Sequence, residues 1–206
     1  MDSLVSTQWL ANHIGDDDLV ILDASRHLPA ASRDARAEFH ESHIAEARFF
    51  DLAALVDDTS DVPQALPRPE QLAMELARCG ASPRSRTVFY DDSAVKTSAR
   101  AWYLCRAHGL SNVAILDGGF GKWKAEGRAV ESGDPEITRA QSFSLPAPTG
   151  IRFKSDMLGN IESCDEQVLD ARDKGRFSGT TIDEVHGQPT GHIPGSCNLP
   201  FGQLFQ

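Results

Sequence analysis

Three stretches place polar side chains where an apolar run gives way to a helix start, the position at which open α/β sheets do their chemistry. The first is Asp91–Lys96, between the run Thr87-Val88-Phe89-Tyr90 and a helix beginning near Thr97 or Ser98. Backbone amides at such a turn form a cradle that favours anions. The residue leaving the strand, where a nucleophile would stand, is Asp91, and Asp92 follows it. Two acids oppose an anion site, so Asp91 reads as a loop acid that hydrogen-bonds backbone. The second stretch, Asp117-Gly118-Gly119-Phe120-Gly121, lacks both the dinucleotide glycine spacing and the Lys-Ser/Thr of a phosphate loop, and reads as a tight turn. The third, Asp170-Ala171-Arg172-Asp173-Lys174-Gly175-Arg176-Phe177, sets three cations near a strand end. Arginine is suited to small oxyanions because its planar fork pairs two oxygens. From the residues alone, ordinary surface cations are the favoured account.

The seven histidines show no zinc-ligand spacing, and no metal or cofactor is expected. His43 and His192 each precede isoleucine, which suits a structural hydrogen-bonder at a strand entry better than a ligand. Cys79, Cys105, Cys164 and Cys197 form no Cys-x-x-Cys pair and no disulfide framework, which fits a reducing cytoplasm. Asp16-Asp17-Asp18 reads as a solvated turn.

Strand and helix patterns alternate around these residues. A helix is predicted over Gln8–Ile14, then a strand over residues 19–24, whose nearly continuous apolar run suits a parallel strand buried on both faces. Residues 26–38 are irregular, and Ala47–Phe50 is a short strand. A helix opens at Pro67-Arg68-Pro69 and stops at Gly80, and another runs from Thr97 or Ser98 to His108. Val113–Leu116 is a strand and Phe120–Glu126 a short helix. The pattern predicts an α/β fold, a parallel sheet with helices on both faces. It also begins to recur. Leu22-Asp23-Ala24 returns as Leu169-Asp170-Ala171, Leu10 and Asn12 as Leu158 and Asn160, and His43-Ile44 as His192-Ile193, at offsets of 147 to 149 positions. Two units follow, 1–130 and 153–206, with a Pro- and Gly-bearing linker over 131–152, and the second is expected to be incomplete.

The net charge of −10 argues against nucleic acid as a partner, since phosphate binding needs clustered Lys and Arg. No stretch approaches the about 20 apolar residues of a membrane helix. The start, Met1-Asp2-Ser3, has no basic segment leading into an apolar one, so no secretory signal is expected.

Taken together, the chain resembles the tandem-domain rhodanese family of thiosulfate and 3-mercaptopyruvate sulfurtransferases. The resemblance is carried by Leu22–Ser25, Glu38–Ala47, Leu66-Pro67-Arg68-Pro69, Val88–Asp91, Arg100-Ala101-Trp102 and Leu116–Trp123, then by Leu169–Arg172, Gly175–Gly179, Gly191–Ser196 and Asn198–Phe201. It implies two rhodanese-like units, the first a non-catalytic copy with Asp91 where the second unit carries a nucleophilic cysteine. The repeat offset puts that cysteine at about residue 240, beyond Gln206, so no catalytic residue is expected within these residues. The implied reaction moves sulfane sulfur from thiosulfate or 3-mercaptopyruvate through a cysteine persulfide to cyanide or a thiol. Arg176 matches the family's donor-binding arginine, and His43 is implied to lie near the cleft between units. Mercaptopyruvate-type members carry a second arginine nine positions on, where this chain has Val185 with His186 beside it. At Ala45-Glu46 the family usually has Pro-Gly. The alternative is a non-catalytic binding or sensor module on the same fold. A phosphatase would need a Cys-x5-Arg loop, which no cysteine here has.

Overall fold

The computed structural model describes residues 1–182, 187 and 189–204. Its elements, in chain order, are β1 (Leu4–Val5), α1 (Thr7–His13), β2 (Leu19–Asp23), α2 (Ala35–Glu41), β3 (His43–Ile44), β4 (Arg48–Phe49), α3 (Pro69–Arg78), β5 (Arg86–Tyr90), α4 (Ser98–Ala107), β6 (Val113–Leu116), α5 (Gly119–Ala125), β7 (Val130–Glu131), α6 (Lys154–Ser163), β8 (Leu169–Asp170), α7 (Lys174–Ser178) and β9 (Cys197–Asn198). They form two compact units, Met1–Gly150 and Ile151–Gln206.

The first unit is built on a five-stranded sheet in the order β1-β6-β5-β2-β4, with every pairing parallel. β2 and β5 lie at its centre and pair along five residues, Leu19 opposite Arg86 through Asp23 opposite Tyr90. Their side chains alternate between two cores, as the period-2 geometry of a strand requires. Val20, Leu22 and Phe89 join Leu72 and Leu76 of α3 and Ala101 and Leu104 of α4. Ile21, Val88 and Tyr90 join Leu10 of α1, Phe39 of α2, and Phe120 and Trp123 of α5. Both faces are thus covered by helices, which is why the β2 segment reads as continuously apolar rather than alternating.

Several elements lay outside the sequence expectation. α2 falls in the stretch read as irregular and runs to Glu41; the Asp34 side chain starts it by accepting from the Arg36 and Ala37 amides at 3.0 and 3.1 Å. β1 is only two residues long, and Leu4 is exposed, so its sequence carried no strand pattern. β3 and β7 make a small antiparallel pair that joins His43 to Glu131. Beyond β7, residues 132–150 form no helix or strand. They follow the surface of the first unit. The Ala140 amide donates to Ala77 O at 3.0 Å, and the Thr149 amide to Ala107 O at 2.9 Å. His108 Nδ1 donates to Pro146 O at 2.7 Å, and Phe143 and Leu145 pack on the core.

The second unit holds the parallel pair β8–β9, with α6 and α7. None of its described side chains is buried. Phe153, Leu158, Leu169, Ile193 and Leu204 are 70%, 57%, 56%, 42% and 62% exposed. Elements with so little apolar burial open at low free-energy cost. Amide hydrogen exchange on this chain is expected to show strong protection on β2, β5 and β6 and fast exchange on β8 and β9. Equal protection in the two units would contradict this.

Candidate functional site

The carboxyl ends of β2 and β5 come together because the strands pair in parallel register; β2 ends in Asp23, and Asp91 follows the last residue of β5. Asp91, 5% exposed, turns its carboxylate back into its own loop. Oδ1 accepts the Ser93 amide at 2.9 Å and the Ser93 hydroxyl at 3.2 Å, while Oδ2 accepts the Ser98 amide at 2.8 Å. The cradle that an anion would use at the start of α4 is therefore filled by the protein's own carboxylate. The next strand-to-helix turn closes over the same residue. The Phe120 amide donates to Asp91 O at 3.0 Å, and a Cβ on Gly119, which has φ +58°, would lie 2.6 Å from that oxygen. The glycines of the Asp117–Gly121 turn thus serve close backbone approach.

Asp23 lies beside this loop, buried, with Oδ1 accepting the Ser25 amide at 2.8 Å. Burial pushes its carboxyl up to about 6, against the opposing bonds from Ser25 and the Tyr90 hydroxyl, and the nearby Asp91 charge pushes the same way. A small crevice of ≈ 170 Å³ runs from Asp23 past Ser25 to Glu38 and Asp92. Arg33 spans its mouth, donating to both Glu38 oxygens at 2.7 and 2.8 Å and to Asp92 Oδ2 at 3.0 Å. His27 Nε2 stands 2.9 Å from Glu38 Oε2. These contacts join residues 5 to 59 positions apart, and no motif in the sequence marks them.

In the second unit the same strand-end acid has a different partner. Asp170 binds Arg172, with Nε at 3.0 and 3.1 Å from the two oxygens, and that hydrogen bond holds its carboxyl below the usual range. Arg172 also donates to Gly191 O at 2.7 Å. Asn198 of β9 donates to the carbonyls of Asp170 and Arg172 at 2.9 and 2.8 Å. Of the three cations in this stretch, Arg172 is thus an internal ion-pair partner, and Lys174 is exposed. Arg176 lies on α7, where its Nε donates to the helix-capping Asp173 at 2.5 Å and its own amide to Asp173 Oδ1 at 3.0 Å. Val185 and His186 lie outside the described residues.

His43 is buried; its Nδ1 donates to Phe39 O at 2.8 Å, and its ring stacks on Phe39 at 4.1 Å. His192 repeats the arrangement on Phe177, at 2.8 Å and 3.9 Å. Each histidine binds the carbonyl of the aromatic residue it stacks on, although the two residues are four positions apart in one unit and fifteen in the other. This is the geometry of a structural hydrogen bond. Among the described residues, no group of His, Cys, Asp and Glu could hold a metal ion.

The four cysteines are equally informative. Cys79 and Cys105 are buried, and burial pushes both thiols up, Cys79 to about 12. Cys164 caps the end of α6 and Cys197 lies in β9. None leads from a strand into a helix start, where a thiolate could be lowered and held.

A parallel sheet covered on both faces, with a sealed acidic loop after β5, is the frame of a rhodanese fold. Residues 6–126 match the model of the rhodanese-like domain. Mouse 3-mercaptopyruvate sulfurtransferase is 38% identical over 208 residues, covering 98% of this chain and 70% of the relative. Chicken thiosulfate sulfurtransferase is 36% identical over 206 residues, covering 97% and 70%. The crystal structure of SseA from Escherichia coli, a 3-mercaptopyruvate sulfotransferase, superposes with a TM-score of 0.88 at 31% identity, covering 100% of this chain and 78% of that one. The chain belongs to the rhodanese-like family, and the relatives that align over nearly its whole length are sulfurtransferases. No helix among the described residues is long and apolar enough to cross a membrane.

The buried Asp23 generates a prediction. Its folded carboxyl titrates near 6 and its unfolded one near 3.8, so the folded state holds the extra proton between those values. Stability contributed by the protonated form is present below the unfolded value and lost as pH rises through the folded one. Urea unfolding at pH 4 and pH 7 is expected to show the wild type losing about 2 kcal/mol relative to Asp23→Asn over that interval. Parallel pH profiles of the two proteins would contradict the shift.

Proposed function

We propose that this chain carries the silent first unit and the donor-binding edge of the catalytic unit of a tandem rhodanese sulfurtransferase. The boundaries are 1–130 for the first unit, 131–152 for the connection and 153–206 for the start of the second. The reaction takes sulfane sulfur from thiosulfate or 3-mercaptopyruvate, small anionic donors, and passes it to cyanide or a thiol. A cysteine thiolate following Gln206 attacks the donor's transferable sulfur; in thiosulfate the S–S bond breaks and its electron pair leaves with sulfite, and in 3-mercaptopyruvate the C–S bond breaks and its pair leaves with the pyruvate enolate, which takes up a proton. The acceptor then removes the sulfur from the persulfide and restores the thiolate.

The observation that carries this reading is Asp91. A carboxylate that accepts three hydrogen bonds from its own loop and helix start leaves no room for a sulfur anion there, so the first unit holds structure rather than chemistry. The buried thiols, pushed up rather than down, support placing the nucleophile elsewhere. Arg176 is assigned to the donor: it sits on the first helix after the strand-end acid of the second unit, where its fork could exchange Asp173 for an anionic donor. His43, whose Nδ1 donates to Phe39 O, is assigned a structural role in the first unit. The non-catalytic module remains the outcome that a negative assay would favour.

A cyanide–thiosulfate assay tests the reading. This chain is expected to show no transfer above background, and a chain extended by about 80 residues from the same gene to show turnover. In the extended chain, Arg176→Ala is expected to lower kcat/KM for thiosulfate by at least about tenfold, near 1.4 kcal/mol. Transfer by the 206-residue chain would sink the placement of the nucleophile, and an unchanged kcat/KM would sink the role of Arg176.

A further inference from the structure

Arg176 is held through its backbone. The Gly191 amide donates to Arg176 O at 3.2 Å, and His192 Nδ1 donates to the next carbonyl, Phe177 O, at 2.8 Å. The helix that carries Arg176, α7, has only five residues and makes too few turns to be rigid by itself. Where the Arg176 guanidinium is presented therefore depends on what fixes Gly191, which lies fifteen positions further along the chain.

Arg172 fixes it. Its Nε meets both Asp170 oxygens, at 3.0 and 3.1 Å, and its Nη2 donates to Asp170 Oδ2 at 2.5 Å and to Gly191 O at 2.7 Å. Asp170 ends β8, and Asn198 of β9 ties down the carbonyls of Asp170 and Arg172. A continuous series of hydrogen bonds thus runs from the β8–β9 pair through Arg172 and Gly191 to Arg176. The link needs a planar fork, which meets a carboxylate and a carbonyl at once in a fixed geometry; a lysine ammonium is a point charge on a flexible stem.

The first unit has the same frame without this link. There the Ser42 amide donates to Glu38 O at 2.9 Å and His43 stacks on Phe39, so Glu38 takes the place that Arg176 has in the second unit. The place of Arg172 is taken by Ser25, whose hydroxyl instead accepts the Asp92 amide at 2.9 Å. Arginine at the clamp goes with arginine at the presented position, and the unit closed by Asp91 has neither.

We propose that Arg172 is a positioning residue for the sulfur donor, acting through Gly191 to set where Arg176 presents its guanidinium. Arg172 raises donor affinity without contacting the donor, because its own fork is engaged by Asp170 and Gly191. This inference rests on the assignment of Arg176 to the donor.

The test uses the chain extended by about 80 residues, with thiosulfate and cyanide varied separately. In a double displacement, kcat/KM for each substrate reports only its own half-reaction, and both are expressed per persulfide-forming site so that a poorly folding variant is still read. Arg172→Lys, which keeps the charge and loses the fork, is expected to lower kcat/KM for thiosulfate at least about fivefold and to change that for cyanide by less than about twofold. Arg172→Gln, the second variant, is expected to show the same split, whereas general loss of structure lowers both substrates alike. Added to Arg176→Ala, Arg172→Lys is expected to change the thiosulfate value by less than about twofold, since the group it acts through is gone. An unchanged thiosulfate value in Arg172→Lys beside an impaired Arg176→Ala, or a loss shared equally by thiosulfate and cyanide, overturns this inference alone. A wild-type thiosulfate value in Arg176→Ala overturns the donor assignment beneath it.

Discussion

The parallel pairing of β2 with β5 is the interaction on which everything else in the first unit depends. Their register sets Asp23 beside Tyr90 and brings two strand ends, each closed by an acid, to the same edge of the sheet. Because both strands are covered by helices on both faces, a slip of one residue would exchange the two cores. Leu22 and Phe89 would then leave the α3–α4 side, and Ile21 and Val88 the α1–α5 side. The loops after these strands are therefore held rigidly, and the hydrogen bonds of Asp91 to Ser93 and Ser98 need that rigidity to persist.

The two units solve one local problem in two ways. Each has an Asp-Ala step at the end of a parallel strand, Asp23-Ala24 after β2 and Asp170-Ala171 after β8. In the first the next residue is Ser25, which is uncharged and donates its backbone amide at 2.8 Å, and burial raises the carboxyl. In the second it is Arg172, whose guanidinium pairs with the acid and lowers it. One residue thus decides whether the strand-end acid is a buried, readily protonated group or half of an ion pair. The stacked Phe39–His43 and Phe177–His192 pairs show the opposite behaviour: the same contact is rebuilt across chain separations that differ almost fourfold. A planar aromatic stack with one hydrogen bond depends on where two elements meet, not on how much chain lies between them.

Much of this was legible in the chain. The β2 and β5 segments announce themselves as continuous apolar runs, and Gly80 and Gly109 mark helix ends by taking left-handed conformations. Asp91 could be read as a backbone-binding acid because its neighbour is a second acid. What could not be read depended on distant partners. Neither β1 nor β3 has a pattern, since each is two residues long and is a strand only because β6 or β7 lies alongside. α2 was hidden because its buried side is supplied by Phe39 alone. Residues 131–152 show a linker's composition, and the Ala77, Ala107 and His108 contacts that hold them to the first unit have no local signal.

The sequence by itself determined the alternation of strands and helices, the family resemblance, and the acid at the position where a nucleophile would stand, because each of these is written in neighbouring residues. Only the tertiary structure decided that the Gly119–Phe120 turn closes over Asp91, that Asp23 is protonated far more readily than an ordinary acid, and that Arg26 and Arg100 share Gln64. Those are properties of burial and of groups 36 to 38 positions apart. Solvent exclusion and long-range juxtaposition arise only once the sheet has closed, so no window of sequence contains them.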